Sequence, residues 1–193
     1  MRVQIYIIMP MDIISVMRDV KNKKRPYDNQ TKKFIVDYLL SMEMIPDDLM
    51  LKVFTLPNAE EVIKKIICKK QTFSCRAERK LFTLPNAGEV VELYIKYFPL
   101  YAENEKKMFD LPNAYRLIKL YILKYSLSEK SEVRLFDFGD DLIFTYISKF
   151  PLNETSQMKI FDMPNGGRLF EFYVSLYPLV PKAERMARKL GWI

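Results

Sequence analysis

The chain has 193 residues, of which 49% are apolar and 28% charged, a composition typical of folded globular proteins and not of disordered ones. Only five residues are glycine, and no Asn-Gly or Asp-Gly pair separates alternating apolar runs, which argues against a β-sandwich or β-barrel. The formal charge of +7 suits an acidic protein, a nucleic acid or an anionic membrane face, and by itself selects none of them.

Residues 1–27 are predicted to form an N-terminal helical extension or cap. Their apolar stretch is interrupted by Pro10 and Asp12 and is followed by no small-residue cleavage site, so we do not expect a secretory signal. No segment reaches the roughly 18 uninterrupted apolar residues that a membrane span needs. Met9-Pro10-Met11 is similar to a motif repeated later, which predicts a helix over residues 11–21, followed by a basic linker to Arg25.

A six-residue motif beginning with phenylalanine recurs along the rest of the chain. Its first copy reads Phe-Thr-Leu-Pro-Asn-Ala, and all later copies except a degenerate fourth keep both the proline and the asparagine. Successive phenylalanines are 28, 27, 27 and 25 residues apart, a regularity that indicates an array of repeats. These phenylalanines are Phe54, Phe82, Phe109, Phe136 and Phe161.

Each repeat is predicted to begin with an amphipathic helix. Apolar residues after the motif recur at intervals of three and four, as in Leu84, Ala87, Val90, Val91, Tyr94, Ile95 and Phe98. The residue after each phenylalanine is Thr or Asp, which predicts a helix N-cap, and the motif asparagine is the alternative cap. The predicted caps are Thr55, Thr83, Asp110, Asp137 and Asp162, with Asn58, Asn86, Asn113 and Asn165 as the alternatives.

A turn and a shorter second helix complete each repeat. Turns such as Phe98-Pro99-Leu100 stop the first helix, since the residue before proline avoids the α conformation. A lone hairpin cannot bury its apolar face, so neighbouring hairpins must stack. We predict second helices over 102–108, 129–135 and 155–160, a degenerate first hairpin over 28–43 and 46–54, and a closing helix over 180–190 covered by Gly191-Trp192-Ile193.

In architecture the chain resembles the broad class of αα-hairpin solenoids, which includes tetratricopeptide, HEAT and pentatricopeptide repeat proteins. The resemblance covers about residues 28–190, although the repeat of about 27 residues lacks the Trp, Gly and Ala signature of the 34-residue tetratricopeptide unit. It implies an all-α, right-handed superhelical solenoid of about five to six repeats within residues 28–193. It also implies a lateral or concave binding surface and a scaffold role.

The sequence contains no recognisable catalytic constellation. Histidine is absent, which removes the commonest general base and most zinc sites, so we expect no enzyme, no metal and no cofactor. Cys68 and Cys75 have neither metal-ligand nor redox spacing, as expected in a reducing cytoplasm. Two groups of residues at predicted helix starts have an alternative interpretation as ion sites. Asp137, Asp140 and Asp141 could form a cation site, and Gly166-Gly167-Arg168 could form an anion cradle.

Two further columns of residues recur at fixed positions. The tyrosines Tyr94, Tyr121, Tyr146 and Tyr173 continue the apolar face, so core packing is favoured over base stacking. A basic residue lies two positions before each phenylalanine, and the equivalent position near the end is also basic: Lys52, Lys80, Lys107, Arg134, Lys159 and Lys189. These six are candidate partner contacts, although a cation in the last turn also stabilises a helix by itself. The sequence thus predicts a scaffold for a protein partner, which the charge allows to be acidic, with a nucleic-acid-binding repeat protein as the alternative.

Overall fold

A computed structural model of the chain describes residues 13–193, and every regular element in that range is helical. The all-α prediction is therefore confirmed for the described part of the chain. The predicted motif copy at Met9-Pro10-Met11 and residues 11–12 of the first predicted helix lie outside the described residues. No helix within residues 13–193 is both long and apolar enough to cross a bilayer.

The chain divides into two compact units, one extending to Asn86 and the other running from Ala87 to Ile193. The helices of the first unit are α1 (Ile13–Lys21), α2 (Asn29–Ser41), α3 (Asp47–Val53), α4 (Ala59–Cys68) and α5 (Cys75–Leu81). Those of the second are α6 (Ala87–Ile95), α7 (Ala102–Met108), α8 (Ala114–Ile122), α9 (Glu129–Leu135), α10 (Asp140–Ile147), α11 (Glu154–Ile160), α12 (Gly166–Leu176) and α13 (Pro181–Leu190), with a 3-10 turn over Phe136–Phe138.

Within each unit the helices alternate between two layers. In the second unit α6, α8, α10 and α12 pack in succession as one layer, and α7, α9, α11 and α13 pack as the other. In the first unit α1, α3 and α5 form one layer, and α2 packs on α4 in the other. Helices that are neighbours in sequence, such as α7 and α8, also pack across the layers. This is the arrangement expected of stacked helical hairpins.

The predicted helices agree closely with the observed ones. Helices α7 and α9 have the predicted bounds, and α11 begins one residue earlier than predicted, at Glu154. The degenerate first hairpin is α2 with α3, and the closing helix α13 begins at Pro181. Trp192 packs on the rings of Phe161 and Phe170, 5.1 and 5.2 Å away between centroids, and covers the last repeat as predicted.

The core follows the predicted helical spacing. In α8 the buried residues Leu117, Ile118, Tyr121 and Ile122 are three or four positions apart, which places them on one face. All four repeated tyrosines are fully buried, as predicted for core packing: Tyr94, Tyr121, Tyr146 and Tyr173. The degenerate first hairpin also carries a tyrosine on its first helix, Tyr38 of α2, which the repeat pattern aligns with this column. Its side chain is instead 38% exposed.

The phenylalanine column is buried only in part. Phe109 and Phe136 are buried, as predicted, whereas Phe82 and Phe161 are half-buried. The prediction that the whole column lies buried is therefore wrong for the two latter residues. The side chain of Phe161 keeps one face against the rings of Phe170 and Trp192, which end the second unit.

The predicted N-caps at Thr and Asp are wrong. The first helix of a repeat begins four residues after that position, at Ala59 in α4 and Ala114 in α8, so the motif asparagine occupies the N-cap position. The side chains of Asn58 and Asn113 form no capping hydrogen bond there. The hydroxyl of Thr55 instead donates to the carbonyl of Lys52 (2.8 Å), and the hydroxyl of Thr83 donates likewise to Lys80. Both threonines thus satisfy carbonyl groups at the end of the preceding helix.

Candidate partner-binding groove and the contacts between repeats

A buried hydrogen-bond network joins successive repeats of the second unit. The hydroxyl of Tyr121 in α8 donates to Oε1 of Glu105 in α7 (3.2 Å) and accepts from the backbone N–H of Leu100. The other carboxylate oxygen of Glu105 accepts from the backbone and hydroxyl of Ser128, the residue before α9 (2.8 and 2.5 Å). One carboxylate on the second helix of a hairpin therefore connects to both helices of the next hairpin.

The same network recurs one repeat later. Tyr146 donates to Glu132 (3.1 Å) and accepts from the N–H of Leu127, and the second oxygen of Glu132 accepts two bonds of 2.8 Å from Asn153. Burial raises the pKa of the Glu132 carboxyl, although the bonds from Asn153 and Tyr146 oppose that shift. Burial, together with the charge on Glu132, also raises the pKa of the Tyr146 hydroxyl.

In the third copy an amide replaces the carboxylate. The Nε2 of Gln157 donates to the hydroxyl of Tyr173 (3.0 Å) and to the carbonyl of Leu152, while its Oε1 accepts from the N–H of Val180 (2.9 Å). The network therefore works with a neutral group at this position. Sequence reasoning missed the column of Glu105, Glu132 and Gln157, although its spacing of 27 and 25 residues was a visible signal.

The basic column lies in the last turn of its helices, as predicted, and two of its members bind to the preceding repeat. Arg134 donates to the carbonyl of Lys106 near the end of α7 (2.9 Å), pairs with Asp110 (2.9 Å), and lies over the ring of Phe109 at 5.1 Å. Such a cation stabilises the end of the neighbouring helix, whose last carbonyl groups lack donors. All six residues are in this position: Lys52, Lys80, Lys107, Arg134, Lys159 and Lys189.

Lys159 repeats the contacts of Arg134 one repeat later. Its Nζ donates to the carbonyl of Val133 (3.1 Å), lies 5.8 Å from the ring centre of Phe136, and is 3.9 Å from Asp137. Lys52 and Lys107 are half-buried, whereas Lys80 and Lys189 are exposed. The structure thus assigns Arg134 and Lys159 to contacts between repeats, and partner binding by the column stays a prediction.

The motif asparagine joins the first helices of neighbouring repeats. Asn86 donates to Glu60 in the first turn of α4 (3.0 Å), and Asn165 donates to Asp140 at the start of α10 (2.7 Å). In α6 the position of Glu60 is taken by Gly88, and a methyl group there would overlap the side chain of Asn113. Asn86 and Asn165 therefore act between repeats, whereas Asn58 donates to Glu61 of its own helix (3.2 Å).

The two alternative ion sites have structural explanations. Asp140 accepts from Asn165, Asp141 accepts from Tyr115, and no group of three metal-ligating side chains occurs within residues 13–193. At the predicted anion cradle the N–H of Gly166 donates to Met163 (3.0 Å). A methyl group on Gly166 would overlap the carbonyl oxygen of Ile160, so this glycine allows close packing.

A groove of about 740 Å³ lies in the first unit between two successive motif copies. This volume is within the range of ligand sites, about 300–1,000 Å³. Its lining includes three half-buried apolar side chains, which we call its floor, namely Leu51, Phe54 and Leu84. The exposed cations Arg76 and Lys80 on α5 also line it. Lys80 of the basic column therefore lines this groove.

The lining of the groove also contains acidic residues that pair with lysines. Glu60 pairs with Lys64 (2.8 Å), and Glu61 pairs with Lys32 and with Lys65 (3.3 Å). The hydrogen bonds from Lys32 and Lys65 lower the pKa of the Glu61 carboxyl to about 2, and that from Lys64 also lowers the pKa of Glu60. Both groups are therefore charged at neutral pH, with cations bound beside them.

Comparison with protein-family models, with curated proteins and with solved structures finds no match for this chain.

Proposed function

We propose that this chain is a non-catalytic repeat scaffold that holds a protein partner. In this proposal its hairpins form one right-handed superhelical αα-hairpin solenoid within residues 28–193. The two-layer packing inside each unit supports that arrangement. A cytoplasmic location belongs to the same proposal, and it is compatible with two cysteines, Cys68 and Cys75, that form no disulfide.

The observation that best supports this function is that the recurring polar residues form hydrogen bonds between neighbouring hairpins. Glu105, Glu132 and Gln157 each join neighbouring hairpins through a buried tyrosine. Repeated polar side chains therefore build the array, and none of these contacts resembles a nucleophile activated by a base. An extended array of this kind offers surface for a partner rather than a reaction centre.

The contacts that the basic column makes in the second unit favour a protein partner over a nucleic acid. A phosphate ladder needs successive cations directed at solvent, since each phosphate contact replaces a released counterion. Arg134 and Lys159 instead bind carbonyl groups and lie over the phenylalanine rings of the preceding repeat.

The test is to identify what the full chain binds in its native host. A tagged chain would be crosslinked in cells, and the recovered material would be analysed for both protein and RNA before and after nuclease treatment. We expect nuclease-resistant recovery of a protein that also binds the purified chain directly. Recovery of RNA alone, with salt-dependent binding of the purified chain to that RNA, would contradict the proposal.

A further inference from the structure

We propose that the groove of the first unit binds an acidic peptide segment that carries an aliphatic anchor residue. This inference rests on the proposed function, because it assigns a surface and a partner chemistry to the same scaffold. It starts from a difference between otherwise equivalent positions in the two units, namely the residue that follows the repeated phenylalanine.

In the second unit that residue is an aspartate, and in two of its three copies the carboxylate pairs with the cation of the next repeat. Asp110 pairs with Arg134, and Asp137 lies 3.9 Å from Lys159. Each cation lies over the preceding phenylalanine ring and is held there by a backbone carbonyl as well. The space above the ring is therefore filled by the protein's own side chain.

In the first unit the same residue is Thr55, which has no carboxylate to offer. Its hydroxyl donates to the carbonyl of Lys52 and so already has a partner. Lys80, which corresponds to Arg134 and Lys159, is exposed and lines the groove. Arg76, one turn earlier on α5, lines it too, and neither cation forms an ion pair with any residue in the described range.

The charge balance of the groove therefore favours an anionic occupant. The carboxylates of Glu60 and Glu61 in the lining already have lysine partners, whereas the exposed cations Arg76 and Lys80 have no ion-pair partner among the described residues. Arginine in particular binds carboxylates through paired hydrogen bonds. The first 86 residues also carry sixteen Lys and Arg against ten Asp and Glu, so the wider field attracts acidic segments.

The residues in the floor of the groove favour a peptide over a nucleic acid as its occupant. Leu51 and Leu84 are aliphatic, and Phe54 is the single aromatic ring among the residues that line the groove. Single-stranded nucleic acids are bound by stacking successive bases on several aromatic rings, with a cation for each phosphate. Two unpaired cations and an apolar floor in the same groove suit a short acidic peptide whose leucine or isoleucine contacts the floor.

The test is selection of a displayed random twelve-residue peptide library on the full chain, followed by affinity measurement with the enriched peptides made synthetically. We expect the enriched peptides to place Asp or Glu next to Leu, Ile or Phe. Arg76→Gln combined with Lys80→Gln should weaken their binding by about tenfold or more, because two charge-assisted contacts are lost.

The matched control is Lys119→Gln combined with Lys130→Gln, which removes the same charge from exposed positions of the second unit. This control should retain wild-type affinity, and circular dichroism and urea melts should show both double variants folded. Leu84→Asn provides a second probe of the floor, with an expected loss of at least about tenfold.

Four outcomes would overturn the inference in distinguishable ways. Enriched peptides whose binding survives the Arg76 and Lys80 changes would exclude the groove while leaving a protein-binding scaffold in place. Equal loss in the control variant would show a general charge effect, and no enrichment would exclude a peptide groove. Salt-dependent binding of oligouridine without any peptide binding would overturn both the inference and the proposed function.

Discussion

The buried carboxylate of Glu132 provides the sharpest test of how the repeats are held together. It accepts hydrogen bonds from the Tyr146 hydroxyl and from the backbone and side chain of Asn153. Truncation by Glu132→Ala leaves these three donors without their acceptor. Because each such loss costs about 1–3 kcal/mol and the losses are not additive, we expect the free energy of unfolding to fall by about 3–5 kcal/mol.

Glu132→Gln should behave differently, because Gln157 already performs this role one repeat later. Its amide bridges Tyr173 and the N–H of Val180 with distances of 3.0 and 2.9 Å. We therefore expect the glutamine variant to lie within about 1 kcal/mol of the wild type at pH 7. Urea unfolding of both variants gives the measurement, with Glu171→Gln on the exposed side of α12 as the matched control.

The difference in unfolding free energy between the wild type and Glu132→Gln should change with pH in one direction. Burial raises the pKa of folded Glu132 above its ordinary value of 4.5, so the folded state binds more protons than the unfolded state in the window above that value. The wild type should therefore lose stability relative to Glu132→Gln as the pH rises through this window. A difference between them that does not change from pH 4 to pH 8, or a glutamine variant as unstable as the alanine variant, would refute the reasoning.

Phe109→Ala should lower the free energy of unfolding by about 3–5 kcal/mol, since the ring is 4% exposed and Arg134 lies over it; a loss below about 1 kcal/mol in a urea melt would place the ring outside the core. Gly166→Ala should destabilise the fold by about 1–3 kcal/mol, because the added methyl group meets the carbonyl of Ile160, whereas Gly167→Ala faces open space and should raise the melting temperature slightly. Arg134→Gln should cost about 1 kcal/mol at low salt through its lost contacts with the preceding repeat, and Lys107→Gln at the equivalent position should cost less; equal losses would show that each cation acts only on its own helix. Lys107→Gln combined with Arg134→Gln should leave partner binding unchanged in a titration, and a fall of nearly two in the slope of log affinity against log salt would instead identify phosphate contacts.

The sequence by itself determined the helical hairpins and their order. The spacing of apolar residues by threes and fours and the turns after Phe98 and Phe150 act within a few residues, so they are readable without a partner segment. The bounds of α7 and α9, the burial of the tyrosine column and the cover formed by Trp192 all follow from such local patterns.

Only the tertiary structure decided what the recurring polar residues do. Thr55 resembles an N-cap in sequence, yet its hydroxyl bonds backward to Lys52, because the helix begins four residues later. Glu132, Arg134 and Asn165 bind groups that lie 14 to 28 residues away in the chain, on the next helix or in a neighbouring repeat. A local pattern contains no information about such partners.

The groove shows the same division between local pattern and packing. The replacement of aspartate by Thr55 is visible in the sequence, but its consequence depends on Lys80, which packs one repeat later. Stacking brings the two positions into one groove, where Lys80 has no aspartate to pair with. The sequence thus determined that the repeats exist, and packing between repeats determined where a surface with unsatisfied charge lies.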